Sequence, residues 1–224
     1  MTTTLRASNL SLKEVHQLLK LEEKFTNCSL TDLLSLEPLT EFEQQELAQI
    51  SRDFQRYLRA AKLNEGQIEF LVIAPLMRLA GFYREPIEIK LEKDIQDIVI
   101  EDRDVIIKGQ FDILAVHNPQ MAEEAYFWVL VIEAKNSSIE VREGLAQLLT
   151  YAYTSLANQS SVLGLTTNGL RYEFVYLQQG NPPTYEILPD LSLTNPHSSI
   201  QLLQVFKAIC SKEWESGQEI ISTS

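Results

Sequence analysis

The chain has 224 residues and a mass of 25.6 kDa, a size that fits one large domain or one domain with an appendage. Its composition, 45% hydrophobic and 22% charged, excludes a disordered chain. The longest apolar run, residues 125–132, is too short for a membrane span. Two cysteines are too few for a disulfide framework or a zinc cluster. The net charge of −12 argues against nucleic-acid binding, which normally leaves a basic footprint, but the distribution of charge matters more than the total. The acid is concentrated in residues 63–160, which hold 8 basic and 16 acidic side chains.

Residues 1–62 are predicted to form an α-helical N-terminal extension. Ser11 with Glu14, and Thr40 with Glu43, match the capping box, in which two side chains bind the free backbone N–H groups at a helix start. After Thr40, apolar residues recur at helical spacing and are predicted to face a core. They are Leu47, Ile50, Phe54, Tyr57, Leu58 and Ala61.

A basic stripe lies on another face of the same predicted helix. Arg52, Arg56 and Arg59 follow one another at spacings of four and three residues, so their side chains share one side of the helix. A stripe of this kind is most often a solvated surface. In this chain it is also the best cationic surface for contacts with phosphates, and the three arginines are therefore candidate substrate-binding residues.

A second domain is predicted over residues 63–224. It opens with a helix capped by Asn64 and Gln67, and the sequence predicts a kink at Pro75, which lacks a backbone N–H, and an end at Gly81. After Gly81 the hydrophobic period changes from helical to two, which predicts strands.

The remaining elements alternate between strands and helices. The apolar segment 125–132 is predicted to be a central strand buried on both faces. Asn168–Gly169 suits the two-residue type I′ turn of a hairpin. The order predicts an α/β or α+β fold with a mixed central sheet flanked by helices. Further strands are predicted at 87–92, 95–100, 105–116, 162–167, 170–177 and 185–188, and helices at 139–158 and 198–210.

Glu133 and Lys135 come at the end of the predicted central strand. Residues two apart on a strand point to the same side, so the two charged side chains project together. Burying such a pair is costly unless it is matched or binds a metal ion. A structural ion pair is the alternative to a functional site here.

Asp112 places a second carboxylate inside an apolar strand, after Gly109. Magnesium prefers oxygen ligands, usually one or two carboxylates with water and substrate phosphate. Asp112 and Glu133 on neighbouring strands would supply that pair, and they are the predicted metal ligands. Gly109 leaves room for a backbone to approach closely. A solvated acid at a strand end is the alternative for Asp112.

Two further places in the chain offer polar side chains to this site. Gln147 and Tyr151 lie one helical turn apart on the helix that follows the central strand, and a helix-surface pair is the alternative for them. Glu65 lies in the first turn of its helix, where an acid is also favoured by the helix dipole, and Glu69 lies one turn further on. Either glutamate would add a carboxylate.

Taken in order, these pieces resemble the PD-(D/E)XK nuclease superfamily. The matching pieces are the acid of the opening helix, Gly109-x-x-Asp112, Glu133-Ala134-Lys135 and Gln147-x-x-x-Tyr151. Within the superfamily, the chain is most similar to the N-terminal endonuclease domain of type I restriction enzyme R subunits, over residues 64–178. Asn64-Glu65, Ile73-x-Pro75-Leu76 and Thr167-Asn168-Gly169 add to that resemblance.

The resemblance implies a restriction-endonuclease-like fold and magnesium-dependent hydrolysis of phosphodiester bonds, with manganese able to substitute. It implies Asp112 and Glu133 as metal ligands, Lys135 as the residue that orients or activates water, and Gln147 as a support. The helix acid Glu65 is counted with the catalytic residues, and Tyr151 and Asn168 with the substrate-binding ones. Phe111 stands where the family name has Pro. The chain has no Gly-x4-Gly-Lys-Ser/Thr motif, so an ATP-driven helicase is not predicted.

The function predicted from the sequence is therefore a stand-alone, metal-dependent endonuclease, with DNA as the expected substrate. The alternatives are a non-catalytic module that keeps the nuclease fold and binds nucleic acid or protein, and a purely structural cluster of charges. A homodimer or a partner protein is expected to supply specificity. Two distant thiols and a start without a signal peptide favour the cytoplasm over secretion or a membrane.

Overall fold

The computed structural model describes residues 2–26, 28–117 and 127–211. The α-helices are α1 (Leu12–Leu19), α2 (Leu30–Leu33), α3 (Glu41–Ala60), α4 (Glu65–Ile68), α5 (Ala74–Ala80), α6 (Leu145–Ser155) and α7 (Pro196–Ser211). The strands are β1 (Thr3–Arg6), β2 (Glu22–Glu23), β3 (Ile87–Asp94), β4 (Ile98–Ile100), β5 (Val105–Lys108), β6 (Gln110–His117), β7 (Phe127–Ala134), β8 (Ser161–Thr167), β9 (Arg171–Gln178), β10 (Thr184–Ile187) and β11 (Leu191–Ser192).

The main sheet has the strand order β2-β10-β9-β8-β7-β6-β3, and β11 also pairs with β9. The pairs β7–β8 and β2–β10 are parallel and the other pairs of this sheet are antiparallel. A second sheet has the order β1-β5-β4. The predicted α/β fold, a mixed central sheet flanked by helices, is confirmed.

Strand β7 lies in the middle of the main sheet, as predicted. Its segment Val129–Ile132 is buried on both sides, because β6 and β8 pair with its two edges and helices cover its two faces. The first two residues of the predicted strand, 125 and 126, lie outside the described residues. A strand in this position needs apolar side chains on both faces, which is why its sequence shows no alternation.

One hydrophobic core fills each face of the main sheet. The first core joins the sheet to α3, α5 and α7, and its largest side chains include Phe54, Leu76, Phe174 and Phe206. The second core joins the opposite face to α1 and α6. Helices therefore lie on both sides of the sheet. In the described parts of the chain, no helix is long and apolar enough to cross a membrane.

Residues 1–62 contain strands as well as helices, which corrects the prediction of a purely helical extension. Strand β1 pairs in parallel with β5, with Thr3 opposite Val105, and β2 pairs with β10, with Glu22 opposite Thr184. Strands of four and two residues are too short to show a period, and their hydrogen-bond partners lie far away in the sequence. Residues of this segment also enter both cores. The boundary at residue 62 stays a prediction.

The three predicted helix starts are confirmed by their capping boxes. Ser11, Thr40 and Asn64 each accept a hydrogen bond from the backbone N–H three residues on, and the side chain at that position binds back. In α3 the predicted apolar stripe is only partly right. Leu47 and Phe54 are buried, but Tyr57 is 40% exposed and Ala61 is exposed, because the core covers only part of the stripe.

The opening helix of the second predicted domain is interrupted where the sequence predicts a disturbance. A π-helical segment, Glu69–Ile73, separates α4 from α5, and the Ala74 N–H binds the Glu69 carbonyl five residues back. Pro75 has no N–H with which to bind the carbonyl four residues before it, so a regular helix cannot continue through this point. Gly81 ends α5 with a φ of +106°, as predicted.

The turn after β8 is not the predicted type I′ turn. That turn needs positive φ at both central residues, and Gly169 has a φ of +82° whereas Asn168 is not in the positive region. The last β8–β9 pair is Thr167 with Tyr172, so four residues form the connection. Asn168 Oδ1 accepts hydrogen bonds from the N–H groups of Leu170 and Arg171, and this arrangement replaces the tight turn.

Candidate active site

Strands β6 and β7 bring Asp112 and Glu133 to the same level of the sheet. The antiparallel register pairs Ile113 with Ile132, and its next step places Asp112 opposite Glu133. Asp112 Oδ2 accepts a hydrogen bond from the Ala134 N–H at 2.7 Å, which fixes the first carboxylate against the neighbouring strand. The two predicted metal ligands are therefore neighbours.

Lys135 connects this pair to α6. Its Nζ donates to Glu133 Oε1 at 2.6 Å and to Gln147 Oε1 at 3.3 Å. Its backbone N–H binds the Thr167 carbonyl at 2.7 Å, which continues the β7–β8 pairing by one residue. The structure thus brings together four of the residues that the sequence singled out, from two strands and one helix.

The two carboxyl groups lie in a poorly solvated place. Glu133 is 1% exposed, and its Oε2 has no hydrogen-bond partner. Burial, together with the charge of Asp112, raises the pKa of Glu133 to about 8. Burial also raises the pKa of Asp112, although the Ala134 N–H and the Lys135 charge act against it. A buried acid with one free oxygen is poised to take up a proton or a cation.

Lys135 keeps its charge in this site. Burial lowers the pKa of its ammonium group, but the charge and the hydrogen bond of Glu133 outweigh burial, so that the net shift is upward. The Glu65 and Asp112 charges act in the same direction. The site therefore combines one permanent cation with buried carboxylates.

Both candidate acids of the opening helix interact electrostatically with the carboxyl groups of this site. The Glu65 charge raises the pKa values of Asp112 and Glu133, although Glu65 itself is exposed. Glu69 is half-buried at the start of the π-helical segment, and burial, followed by the charge of Asp112, raises its pKa. The electrostatic contacts therefore do not separate the two candidates.

The Tyr151 side chain is buried and is not exposed at the surface of the candidate site. Its side chain is 1% exposed and packs against Gly109, where an added Cβ would come within 2.4 Å of the Tyr151 Cε1 atom. Gly109 also divides the single strand predicted over 105–116, because β5 belongs to the small sheet and β6 to the main sheet. The substrate-binding role of Tyr151 stays a prediction.

Asn168 uses its side chain to hold backbone. Its Nδ2 donates to the Ile139 carbonyl at 2.9 Å, and its Oδ1 accepts from the N–H groups of Leu170 and Arg171. These bonds tie the turn after β8 to the segment that follows β7. Its predicted contact with substrate is not tested by this geometry.

The arginine stripe is exposed on α3, as the sequence predicts. Arg52 donates to Gln49 Oε1 at 2.7 Å, and the Arg56 guanidinium lies 5.1 Å from the centre of the Tyr57 ring. Among the described residues, no hydrogen bond or ion pair joins the three arginines to the carboxylates. Helix α3 packs against the π-helical segment that carries Glu69. The contact of the three arginines with phosphates stays a prediction.

Three residues near the site were not predicted. Gly144 ends the 3-10 turn before α6, and an added Cβ there would lie 3.2 Å from Glu133 Cγ and 3.3 Å from Lys135 Cε. Thr166 on β8 is the registered partner of Glu133, and Glu173 on β9 is the partner of Thr166. The one signal in the sequence was Glu173, a charge within the apolar strand Tyr172–Val175.

The candidate site offers oxygen atoms of the kind that a magnesium ion prefers, although the protein supplies few of them. Asp112 and Glu133 offer carboxylate oxygens, and the free Oε2 of Glu133 is a buried acceptor in need of a partner. Within the ranges that the structure describes, no group of three or more His, Cys, Asp or Glu side chains forms a metal site. Two carboxylates are nevertheless what magnesium commonly takes from a protein when water and phosphate supply the other ligands.

Comparisons with known proteins find a remote structural likeness. No protein-family model and no curated protein matches the chain. Among solved structures, one similar chain is described as a fragment of a putative HsdR subunit of a type I restriction enzyme from Vibrio vulnificus YJ016, with 19% identity and a TM-score of 0.37 over 63% of this chain. This chain spans 25% of that one. A TM-score this low carries no argument about function.

Proposed function

We propose that this chain is a metal-dependent nuclease that hydrolyses phosphodiester bonds, with DNA as the expected substrate. The observation that carries the proposal is the contact set of Lys135. Its ammonium group is bound by Glu133 at 2.6 Å and Gln147 at 3.3 Å, while Asp112 is held beside Glu133 by the Ala134 N–H. Carboxylates that can hold a metal ion and a fixed cation beside them can support phosphodiester hydrolysis.

Magnesium is the proposed cofactor, and manganese is expected to substitute for it. Asp112 and Glu133 would hold the ion, and when bound it lowers the pKa of an attacking water and stabilises charge on the scissile phosphate. The unpartnered Glu133 Oε2 supports this assignment, because a buried acceptor without a partner costs free energy that a cation would recover.

The protein's own groups have separate tasks in this proposal. Lys135 places a positive charge beside the reacting phosphate, where charge develops in the transition state. Gln147 limits the movement of the Lys135 side chain, and Glu133 keeps that side chain ionised. The exposed arginines of α3 are the proposed phosphate contacts, and a second copy or a partner protein is the proposed source of specificity.

The test is cleavage of DNA by the purified chain. With magnesium or manganese, the wild-type protein should cut, and Lys135→Ala should abolish cutting while the protein remains folded by circular dichroism. Chelator should abolish cutting as well. Lys207→Ala is the matched control, because Lys207 is also a partly buried lysine in an ion pair, with Glu43, and lies on α7.

The outcome also separates the enzyme from its rivals. Equal residual cleavage by wild type and Lys135→Ala would mean that a contaminant cuts, and the nuclease proposal would fail. A non-catalytic module that keeps the fold predicts no cleavage but retained binding of nucleic acid. Binding measured in chelator by fluorescence anisotropy distinguishes that result from a structural cluster that binds nothing.

A further inference from the structure

Strand β3 forms one edge of the main sheet and is long for an edge strand. It pairs with β6 on its inner side, and no strand in the described part of the chain pairs with its outer side. An edge strand presents backbone N–H and C=O groups that another strand can bind, so most proteins keep such edges short or charged. The opposite edge of the sheet follows this rule, because β2 consists of Glu22 and Glu23 alone. β3 has eight residues and departs from it.

The regular part of this edge is Ile87–Leu91. Pairing with β6 is continuous from Ile87, opposite His117, to Leu91, opposite Ile113. Glu92 has a φ of +45° and no registered partner, so the strand is irregular at this residue. The straight edge to which another strand can add therefore has five residues.

The sequence of these five residues, Ile-Glu-Ile-Lys-Leu, is complementary to itself when two copies run antiparallel. If Ile89 lies opposite Ile89 of a second copy, each Glu88 lies opposite a Lys90. In the same register, each Ile87 lies opposite a Leu91. Opposite charges and apolar side chains both stabilise a pair of strands when they face each other. All five positions are thus matched.

The charges select this register over its neighbours. If one strand moves by two residues, Glu88 lies opposite Glu92 and Lys90 lies opposite Lys90 of the second copy. If it moves by two residues in the other direction, Glu88 lies opposite Glu88. Like charges that face each other destabilise a pair of strands. Only the register centred on Ile89 avoids them among these three.

An exposed apolar groove lies along the same edge. It has a volume of about 650 Å³, and Phe70, Tyr83, Ile87, Ile89 and Leu91 are among the residues that line it. Phe70 is 77% exposed, Tyr83 54% and Leu91 62%. Exposed apolar surface that gathers in one place marks an interaction site. A second strand in the matched register would place its own Ile87 against Leu91 at this groove.

We propose that β3 pairs with β3 of a second copy of this chain, antiparallel and centred on Ile89, and so joins two main sheets. The contact uses the same surface on both copies, so it closes after two. Such a dimer would be the second copy named in the proposed function. It requires neither a metal ion nor nucleic acid, and its test is therefore independent of cleavage.

Sedimentation equilibrium of the full chain, in chelator and without nucleic acid, measures the association. Wild type should have twice the chain mass of 25.6 kDa and form no larger species. Leu91→Lys brings a charge from each copy into the apolar part of the contact, so it should weaken association by about tenfold or more. Val99→Lys is the matched control and should remain a dimer, because Val99 is 60% exposed on β4, an edge strand of the small sheet.

An exchange of charges tests the register. Glu88→Lys alone turns both proposed ion pairs into facing lysines and should weaken association by about tenfold. Glu88→Lys combined with Lys90→Glu restores two opposite pairs and should associate as wild type does. Glu46→Lys is the control for net charge, because Glu46 is exposed on α3, and it should remain a dimer. Circular dichroism checks that each variant is folded.

The outcomes decide the proposal. Wild type that stays monomeric at every concentration overturns it, and an extended segment of another protein is then the occupant of this edge. A dimer that Leu91→Lys leaves intact also overturns it, because the copies would meet through another surface. A dimer that Glu88→Lys weakens and the double variant does not restore contradicts the register centred on Ile89. Each of these results leaves the nuclease proposal standing, and an absence of cleavage leaves the dimer standing.

Discussion

Asp112 and Glu133 lie opposite each other on adjacent strands, and each carboxyl group depends on a residue just beyond Glu133 in the chain. Asp112 is bound by the N–H of Ala134 and Glu133 by the ammonium of Lys135. Burial and mutual repulsion raise the pKa of Glu133, and burial raises that of Asp112. Ionising both carboxyl groups therefore costs free energy, which the proposed cation would reduce.

The pH dependence of stability follows from the burial of Glu133 and, to a smaller extent, from its repulsion by Asp112. Glu133 has a usual pKa of 4.5, raised in the folded protein to about 8. Between these values the unfolded chain loses the proton and the folded chain keeps it, so stability in chelator should fall as pH rises through this window. The loss should be about 2–5 kcal/mol, measured by urea unfolding at several pH values.

The matched variant for this measurement is Glu133→Gln. It cannot ionise, so its stability should change much less over the same pH range than that of wild type. Parallel curves for the two proteins would show that another group produces the slope. Glu186→Gln is a useful reference, because Glu186 is a buried glutamate on β10 that binds the Cys28 N–H.

Neutralising the other acid should stabilise the metal-free protein. In Asp112→Asn the repulsion with Glu133 is gone, while the amide oxygen still accepts the Ala134 N–H. We expect a gain of about 1–2 kcal/mol in chelator. Magnesium should stabilise wild type by mass action, and the variant should lose most of that gain. Melting curves of both proteins, with magnesium and with chelator, provide the comparison.

The opposite signs would identify a structural role. If Asp112 serves only as an acceptor for backbone, Asp112→Asn should cost stability and magnesium should hardly change the melting of wild type. A destabilised variant together with a magnesium-insensitive wild type contradicts the metal-site hypothesis.

The central part of the site was predictable because its signals are local. The apolar segment 125–132 indicates a strand that is buried on both faces. Two charged side chains directly after such a strand are costly to bury unless they are paired or bind a metal ion. Asp112 carries the same signal one strand earlier. The convergence of Asp112, Glu133 and Lys135 then follows from the pairing of β6 with β7. The three helix starts were predictable for the same reason, because each capping box joins two residues that are only three positions apart.

The rest depended on contacts between distant parts of the chain. β1 and β2 acquire their hydrogen bonds from strands about 100 or more residues away, so the sequence of residues 1–62 shows only its helices. Thr166 is one threonine among several until its register with Glu133 is known. Tyr151 has the spacing of a helix-surface residue, but α6 is covered on that side by Gly109 and the second core.

Gly109 should be intolerant of any side chain. In Gly109→Ala, the new Cβ would lie 2.4 Å from Tyr151 Cε1 and 3.0 Å from Ala7 Cβ, and the buried ring has little room to move. We expect a destabilisation of about 1–3 kcal/mol, measured by urea unfolding. Gly66→Ala is the control: its nearest neighbour is Asn64 Oδ1 at 3.8 Å, and it should be neutral or slightly stabilising. Equal effects of the two substitutions would argue against tight packing at Gly109.

The arginine stripe gives a prediction about binding of nucleic acid. If the exposed side chains of Arg52, Arg56 and Arg59 bind phosphates, replacing all three with Gln should weaken binding to a DNA duplex and flatten its salt dependence. The slope of log affinity against log salt should fall by about 0.9 for each phosphate that an arginine no longer neutralises. Fluorescence anisotropy in chelator, at several salt concentrations, measures this slope.

A variant with Lys13, Lys20 and Lys93 replaced by Gln is the control, because it has the same net charge as the arginine variant. It should retain the wild-type slope. If the two triple variants show the same slope, the stripe is a solvated face and only the overall charge affects binding.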